Sequence, residues 1–181
     1  MIERFLEPPP FSGLEEFITI WAHTGTHVDS EYNDNPKGQI LYDMPLDAFC
    51  GEALALDMTF VGQGKTIGEE HLKRFSEKIK PGDTVFLFSE YDSWETAPTI
   101  PFEAGMWLLD KGIKGYGAGG NSIRKALKCH KLFHEKRLTV YDRLDIEGLK
   151  QISGKRVFFM GFPLRINYLS TSPCRLIALE E

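Results

Sequence analysis

Short apolar runs separated by segments of helical spacing fill the second two-thirds of the chain. Residues 53–58 and 84–88 are apolar runs bounded by turn residues and predict buried strands, the second introduced by a Pro81-Gly82-Asp83 turn. Between them, residues 68–79 have an acidic start and a basic end. Leu72, Phe75 and Ile79 fall at helical spacing there, which predicts a helix. Residues 102–111 repeat the helical pattern with Gly112 as the cap, and residues 122–136 predict a longer helix opened by Ser122. Residues 138–141, 156–162 and 174–179 read as strands. Residues 14–28, with the β-rich run Phe17-Ile-Thr-Ile-Trp21, read as extended. Alternating strands and helices place the chain in the α/β class. The more extended N-terminal half predicts a mixed sheet, and with no repeat or linker the expectation is one domain over residues 1–181.

Candidate chemistry concentrates in His23-Thr-Gly-Thr-His27-Val-Asp29-Ser-Glu31-Tyr-Asn33. Every potential ligand here has an odd number, and β-branched residues occupy positions 24, 26 and 28. On a strand, period-two alternation sends the two sets to opposite faces. A helix would align His23 with His27 but carry Asp29 off that face, and the β-branched residues and Gly25 oppose a helix. A straight strand would separate the two His Cα atoms by roughly 13 Å, close to the limit for two imidazoles sharing one ion. A bend is therefore expected, and Gly25 sits at the midpoint where the chain can make it. Two His and one carboxylate form a recurrent open metal site. HxxxH alone also arises by chance, and His71 and His134 read as ordinary helix histidines.

The net charge of −5 and the dispersed Lys and Arg give no electrostatic reason to expect nucleic acid or an anionic membrane as partner. Three separated cysteines without CxxC spacing read as reduced thiols. The N-terminus lacks a basic and apolar leader, and no window approaches a membrane span, so a cytoplasmic location is expected.

The motif His23-Thr-Gly-Thr-His27-Val-Asp29 resembles the cyclase family signature, HxGTHxDxPxH, of the kynurenine formamidase-like metal-dependent hydrolases. Residues 43–51, 79–87 and 103–114 are similar to later family segments in the same order. The resemblance implies a mixed sheet with flanking helices. It also implies hydrolysis of an amide, ester or lactone of a small molecule through a metal-activated water. It adds a later histidine and an acidic residue to the metal set, matched here by His130 and Asp142, with His134 as the alternative if the alignment slips. The implied cofactor is one or two divalent ions, Zn²⁺ first, with Mn²⁺ or Fe²⁺ also compatible. The implied assembly is a homodimer or homotetramer.

The chain departs from the family where proton transfer is expected. The family proline is Glu31, and the final motif histidine, which serves in catalysis, is Asn33. Asn33 cannot exchange a proton but can orient a carbonyl or water, so Glu31 becomes the nearest candidate base. The alternative reading is a metal- or ligand-binding relative without hydrolytic activity.

Overall fold

The computed structural model describes residues 18–91, 93–120, 123–125 and 127–180. Its strands are β1 (His27–Asp29), β2 (Cys50–Asp57), β3 (Thr84–Phe88), β4 (Thr99–Ile100), β5 (Gly115–Gly119), β6 (Arg124–Lys125), β7 (Thr139–Leu144), β8 (Arg156–Met160), β9 (Thr171–Pro173) and β10 (Ile177–Leu179). Its helices are α1 (Glu69–Leu72), α2 (Phe102–Asp110), α3 (Leu127–Glu135) and α4 (Ile146–Gln151). One eight-stranded sheet runs β10-β8-β2-β3-β5-β7-β1-β9, and β4 pairs with β6 in a separate ribbon. The central strands β2, β3, β5 and β7 are parallel. Antiparallel strands flank them on both sides. The sheet is thus mixed, with helices against it, as expected of an α/β chain.

The apolar runs of β2 and β3 are continuous because both faces are covered. Leu54, Leu56, Val85 and Leu87 pack toward Leu72, Ala104, Leu108 and Phe133 of the helices α1–α3. Ala53, Ala55, Phe86 and Phe88 face the opposite layer with Leu149 of α4, Phe49 and Phe159. On that side Phe86, Tyr141 and Phe159 meet edge to face, with ring centroids 5.4 to 6.1 Å apart. Gly117 makes room for them: a Cβ there would lie 2.6 Å from Phe86 Cδ1.

Several predicted boundaries move. Residues 14–17 lie outside the described residues, and residues 18–26 form turns and irregular chain, so the N-terminal strand shrinks to β1. The helix expected over 68–79 is the single turn α1 followed by a 3-10 turn. The helix expected from Ser122 begins at Leu127, because Arg124–Lys125 pairs with β4; Ser122 itself lies outside the described residues. The strand expected over 174–179 shrinks to β10 at one edge of the sheet, and a strand not expected from the sequence, β9, precedes it and forms the other edge. Gly112 does take the left-handed conformation, φ +78°, that ends α2.

The Pro81-Gly82-Asp83 turn holds more than its own bend. Asp83 is buried, and its carboxylate accepts from both guanidinium nitrogens of Arg156 at 2.6 and 3.0 Å and from the Lys80 N–H at 2.7 Å. This pair ties the start of β3 to the start of β8. Removing Arg156 strands a buried carboxylate, which costs several kcal/mol where the partner is fully buried. Arg156→Met is expected to lose about 3 kcal/mol of stability, the low end for such a pair because Arg156 keeps some contact with water. Urea unfolding checks this; a midpoint equal to wild type would contradict it.

Candidate metal centre

The central feature is the turn from Trp21 to β1. The Thr24 N–H donates to the Trp21 carbonyl at 2.9 Å, and Gly25 adopts φ +62°, so the chain reverses between the two histidines. The bend expected at Gly25 is present, and a residue with a Cβ would be strained there. His23 Nδ1 comes within 3.2 Å of His27 Nε2 and 3.5 Å of Asp29 Oδ1, and His27 Nε2 lies 3.9 Å from the same oxygen. A tetrahedral ion with ligands at about 2.0–2.2 Å separates its ligand atoms by roughly 3.3–3.6 Å, so the separations to His23 Nδ1 lie close to such edges, and the His27–Asp29 separation of 3.9 Å is somewhat longer.

The tautomer of a neutral His27 ring follows from its partner. Its Nδ1 lies 2.8 Å from the Gly25 carbonyl, which can only accept, so Nδ1 carries the hydrogen and Nε2 keeps its lone pair. Asp29 is 2% exposed, and its Oδ1 accepts from Thr171 Oγ1 at 2.7 Å. Thr171 reaches it because β9 pairs with β1 with Asp29 opposite Thr171. A hydroxyl that orients a ligating carboxylate is a common outer support of metal sites.

A second group stands on the other side of Asp29. Its Oδ2 lies 4.0 Å from His130 Nε2, and Asp29, His130 and His134 offer ligand atoms all within 4.8 Å of one another. His130 and His134 are one turn apart on α3, and their rings meet edge to face at 4.3 Å. His134 is 1% exposed, so it is not a surface histidine. Its Nε2 is buried without a hydrogen-bond partner among the described residues. Burial and the neighbouring His130 lower the His134 pKa, against the opposing pull of Asp34, which keeps the ring neutral and Nε2 available as a lone-pair donor. A buried imidazole nitrogen with no partner, beside a buried carboxylate, fits a divalent cation.

The residue between these histidines and the first loop is Asp34. Its Oδ2 accepts from His130 Nδ1 at 2.9 Å and from His134 Nδ1 at 2.7 Å. Burial works to raise the Asp34 carboxyl, but the contacts with His134 and His130 outweigh it and hold the group below its ordinary value. Sequence reasoning passed over Asp34, one position beyond the motif. The available signal was the i, i+4 pair His130 and His134, which calls for a shared partner.

The other expected site residues take the following positions. The strand does not continue past Asp29: Glu31–Asn33 is a 3-10 turn, so the odd-numbered face ends there. Ser30 is still extended and donates its N–H and hydroxyl to the Ser170 carbonyl at 2.9 and 3.0 Å, and the turn begins after it. The Glu31 carboxylate accepts from Asn35 Nδ2 at 2.9 Å and the Gln39 N–H at 3.4 Å, and it lies 3.6 Å from Arg137 Nε. Glu31 thus closes the loop that carries Asp34. Asn33 lies half-buried in the same turn. Asp142 stands opposite His27 on β7, on the same face, but belongs to neither group of converging ligand atoms. Trp21, 66% exposed, leans against the His23 ring with centroids 4.9 Å apart.

Comparison with known proteins bears on the family and the fold. A family model described as "Putative cyclase" matches residues 3–123. The kynurenine formamidase of Paracidovorax citrulli (strain AAC00-1) is 25% identical over 171 residues, covering 88% of this chain and 77% of that protein. That of Erythrobacter litoralis (strain HTCC2594) is 28% identical over 177 residues, covering 90% and 76%. Among solved structures, a potential metal-dependent hydrolase with cyclase activity superposes with a TM-score of 0.73 at 23% identity, covering 88% and 80%. An isatin hydrolase bound to the product analogue thioisatinate superposes with a TM-score of 0.76 at 18% identity, covering 90% and 74%. At these identities the superpositions speak for the fold, and the family match spans more than half of the chain. This chain belongs to the cyclase family.

Proposed function

We propose that this chain is a metal-dependent hydrolase that opens an amide, ester or lactone bond in a small molecule. The observation that carries this reading is the convergence of His23 Nδ1, His27 Nε2 and Asp29 Oδ1 within 3.2 to 3.9 Å. The relatives named kynurenine formamidase and isatin hydrolase point toward formamides and cyclic amides. A divalent cation at this centre supplies a more acidic water and a polarised carbonyl. Two imidazoles and a carboxylate favour Zn²⁺, with Mn²⁺ or Fe²⁺ compatible with the same donors.

The chain's own groups prepare that chemistry. Gly25 aims both motif imidazoles, and Thr171 fixes the Asp29 carboxylate. Trp21 offers an aromatic face beside His23, suited to the flat ring of an aryl amide. Asn33 can orient a polar group but carries no exchangeable proton for the leaving group. That loss is the specific observation favouring a second reading, a metal-binding relative without turnover. Three free thiols, Cys50, Cys129 and Cys174, support a reducing, cytoplasmic location. Among the described residues no helix is long and apolar enough to cross a membrane.

An assembly of two or four copies is supported by the sheet edge at β10, where Phe158, Ile177 and Leu179 are exposed apolar residues. Sedimentation velocity is expected to show a dimer or tetramer that Ile177→Lys dissociates; a concentration-independent monomer would contradict it.

The activity test is hydrolysis of a panel containing an N-formyl arylamine, a cyclic aryl amide, an aryl ester and a lactone. Turnover is expected on at least one, abolished by a chelator and restored by added Zn²⁺ or Mn²⁺. Metal-loaded protein inert toward all four would favour the relative without turnover. In the same assay Glu31→Gln is expected to keep at least a tenth of wild-type kcat, since its amide oxygen still accepts from Asn35. A loss of a hundredfold or more with metal retained would make Glu31 the base.

A further inference from the structure

Two short strands at opposite edges of the sheet are neighbours in the chain. β9 ends at Pro173 and β10 begins at Ile177, so only Cys174, Arg175 and Leu176 join them. Laid flat at about 4.8 Å per strand, eight strands would hold those edges roughly 34 Å apart. Four steps of chain span at most about 14 Å. The sheet therefore curls until its edges nearly meet, and residues 174–176 form a strap across the gap.

Behind the strap the closure is incomplete. A cavity of about 570 Å³ opens between the strap, α4 and the residues Thr24 and Thr26 that flank Gly25. Its apolar wall is Leu144, Leu149, Ile152, Leu176 and Ala178. The volume is that of a small-molecule site, and the mouth of a curled sheet is a common place for one.

The polar groups around this wall decide what it can hold. Thr26 Oγ1 already donates to the Arg143 carbonyl at 2.8 Å. Asp145 accepts from the Glu147 and Gly148 N–H groups at 3.3 and 3.1 Å, so its charge is taken up in capping α4. Among the described residues Arg175 is the one cation lining the cavity, and it is exposed and has no carboxylate partner. A guanidinium without a counter-ion beside an apolar wall is complementary to an anionic head on an apolar body. A carboxylate meets it with two parallel hydrogen bonds.

We propose that the mouth of the curled sheet is a binding site for a small apolar carboxylic acid, with its carboxylate on Arg175 and its body against Leu149, Ile152 and Ala178. Leu144 and Leu149 belong to the layer opposite the one that holds Cys129 and Phe133 of α3. The site thus shares the Gly25 turn with the metal centre but none of its ligand atoms, and the inference does not depend on turnover there.

The test is calorimetry on the protein as purified, with 2-naphthoate as the probe and 2-naphthamide as its neutral counterpart. Wild type is expected to bind one naphthoate per chain and the amide about tenfold more weakly, the worth of one charge-assisted contact. Arg175→Gln should weaken naphthoate about tenfold and leave the amide unchanged. Ala178→Trp, which fills the cavity, should weaken both, with thermal melting to confirm a folded chain. His23→Ala should bind both as wild type does. Loss of naphthoate in His23→Ala but not in Arg175→Gln would overturn the proposal by placing the acid on the metal. Equal affinity for acid and amide, or no binding by wild type at millimolar concentration, would overturn it as well. Nuclear Overhauser contacts in wild type give a measurement independent of variant folding. The naphthoate ring protons should reach the methyl groups of Leu149 and Ala178, and contacts with Trp21 or His23 in their place would contradict the site.

Discussion

The Asp29 carboxylate, buried at the junction of β1, β9 and α3, is the group around which the rest of this structure is arranged. Taking an unpaired carboxylate out of water is costly, and proteins tolerate it where donors or cations surround it. Here one hydroxyl and three imidazoles converge on its two oxygens. Each comes from a different part of the chain: Thr171 from the edge strand, His23 and His27 from the Gly25 turn, His130 from α3. The sheet therefore closes around Asp29 only if these distant segments meet, and the centre and the fold specify each other.

The same logic explains why a short chain arrangement suffices for two neighbouring groups of potential ligand atoms. A carboxylate has two oxygens, and on a three-residue strand held between two antiparallel neighbours they are directed to opposite sides. The glycine turn supplies two imidazoles on one side. The i, i+4 spacing on α3 supplies two more on the other, and Asp34 sets their orientation. Asn33 stands where the family signature has its final histidine, and the next residue, Asp34, brings a carboxylate that accepts from both α3 imidazoles.

Much of this was legible in the sequence. The ligand motif lay in one short segment, the need for a bend at Gly25 followed from strand dimensions, and the buried strands announced themselves as apolar runs. The mixed α/β sheet followed from the order of elements. What failed was local continuation. Period-two alternation from His23 to Asn33 suggested one polar face, but the chain leaves the β1–β9 ladder after Ser30 and Glu31–Asn33 winds into a 3-10 turn. That turn carries Glu31 into its own loop and lets Asp34 reach α3. Likewise the pairing of β6 with β4 delays α3, because tertiary hydrogen bonds outweigh a modest helical propensity at Arg124 and Lys125. Asp142 was legible as a neighbour of His27 in space, and it stands opposite it on β7; His134, read from the sequence as an ordinary helix histidine, is instead buried with its ligand atoms near those of Asp29 and His130.

The most direct test of the account is the metal content of purified protein, measured by elemental analysis for wild type beside His27→Ala. Wild type is expected to hold at least one equivalent of a divalent transition metal, and the variant to lose it from the site of His23 and Asp29 while still melting cooperatively. Metal-free wild type that also fails to take up added Zn²⁺ or Mn²⁺ would contradict it.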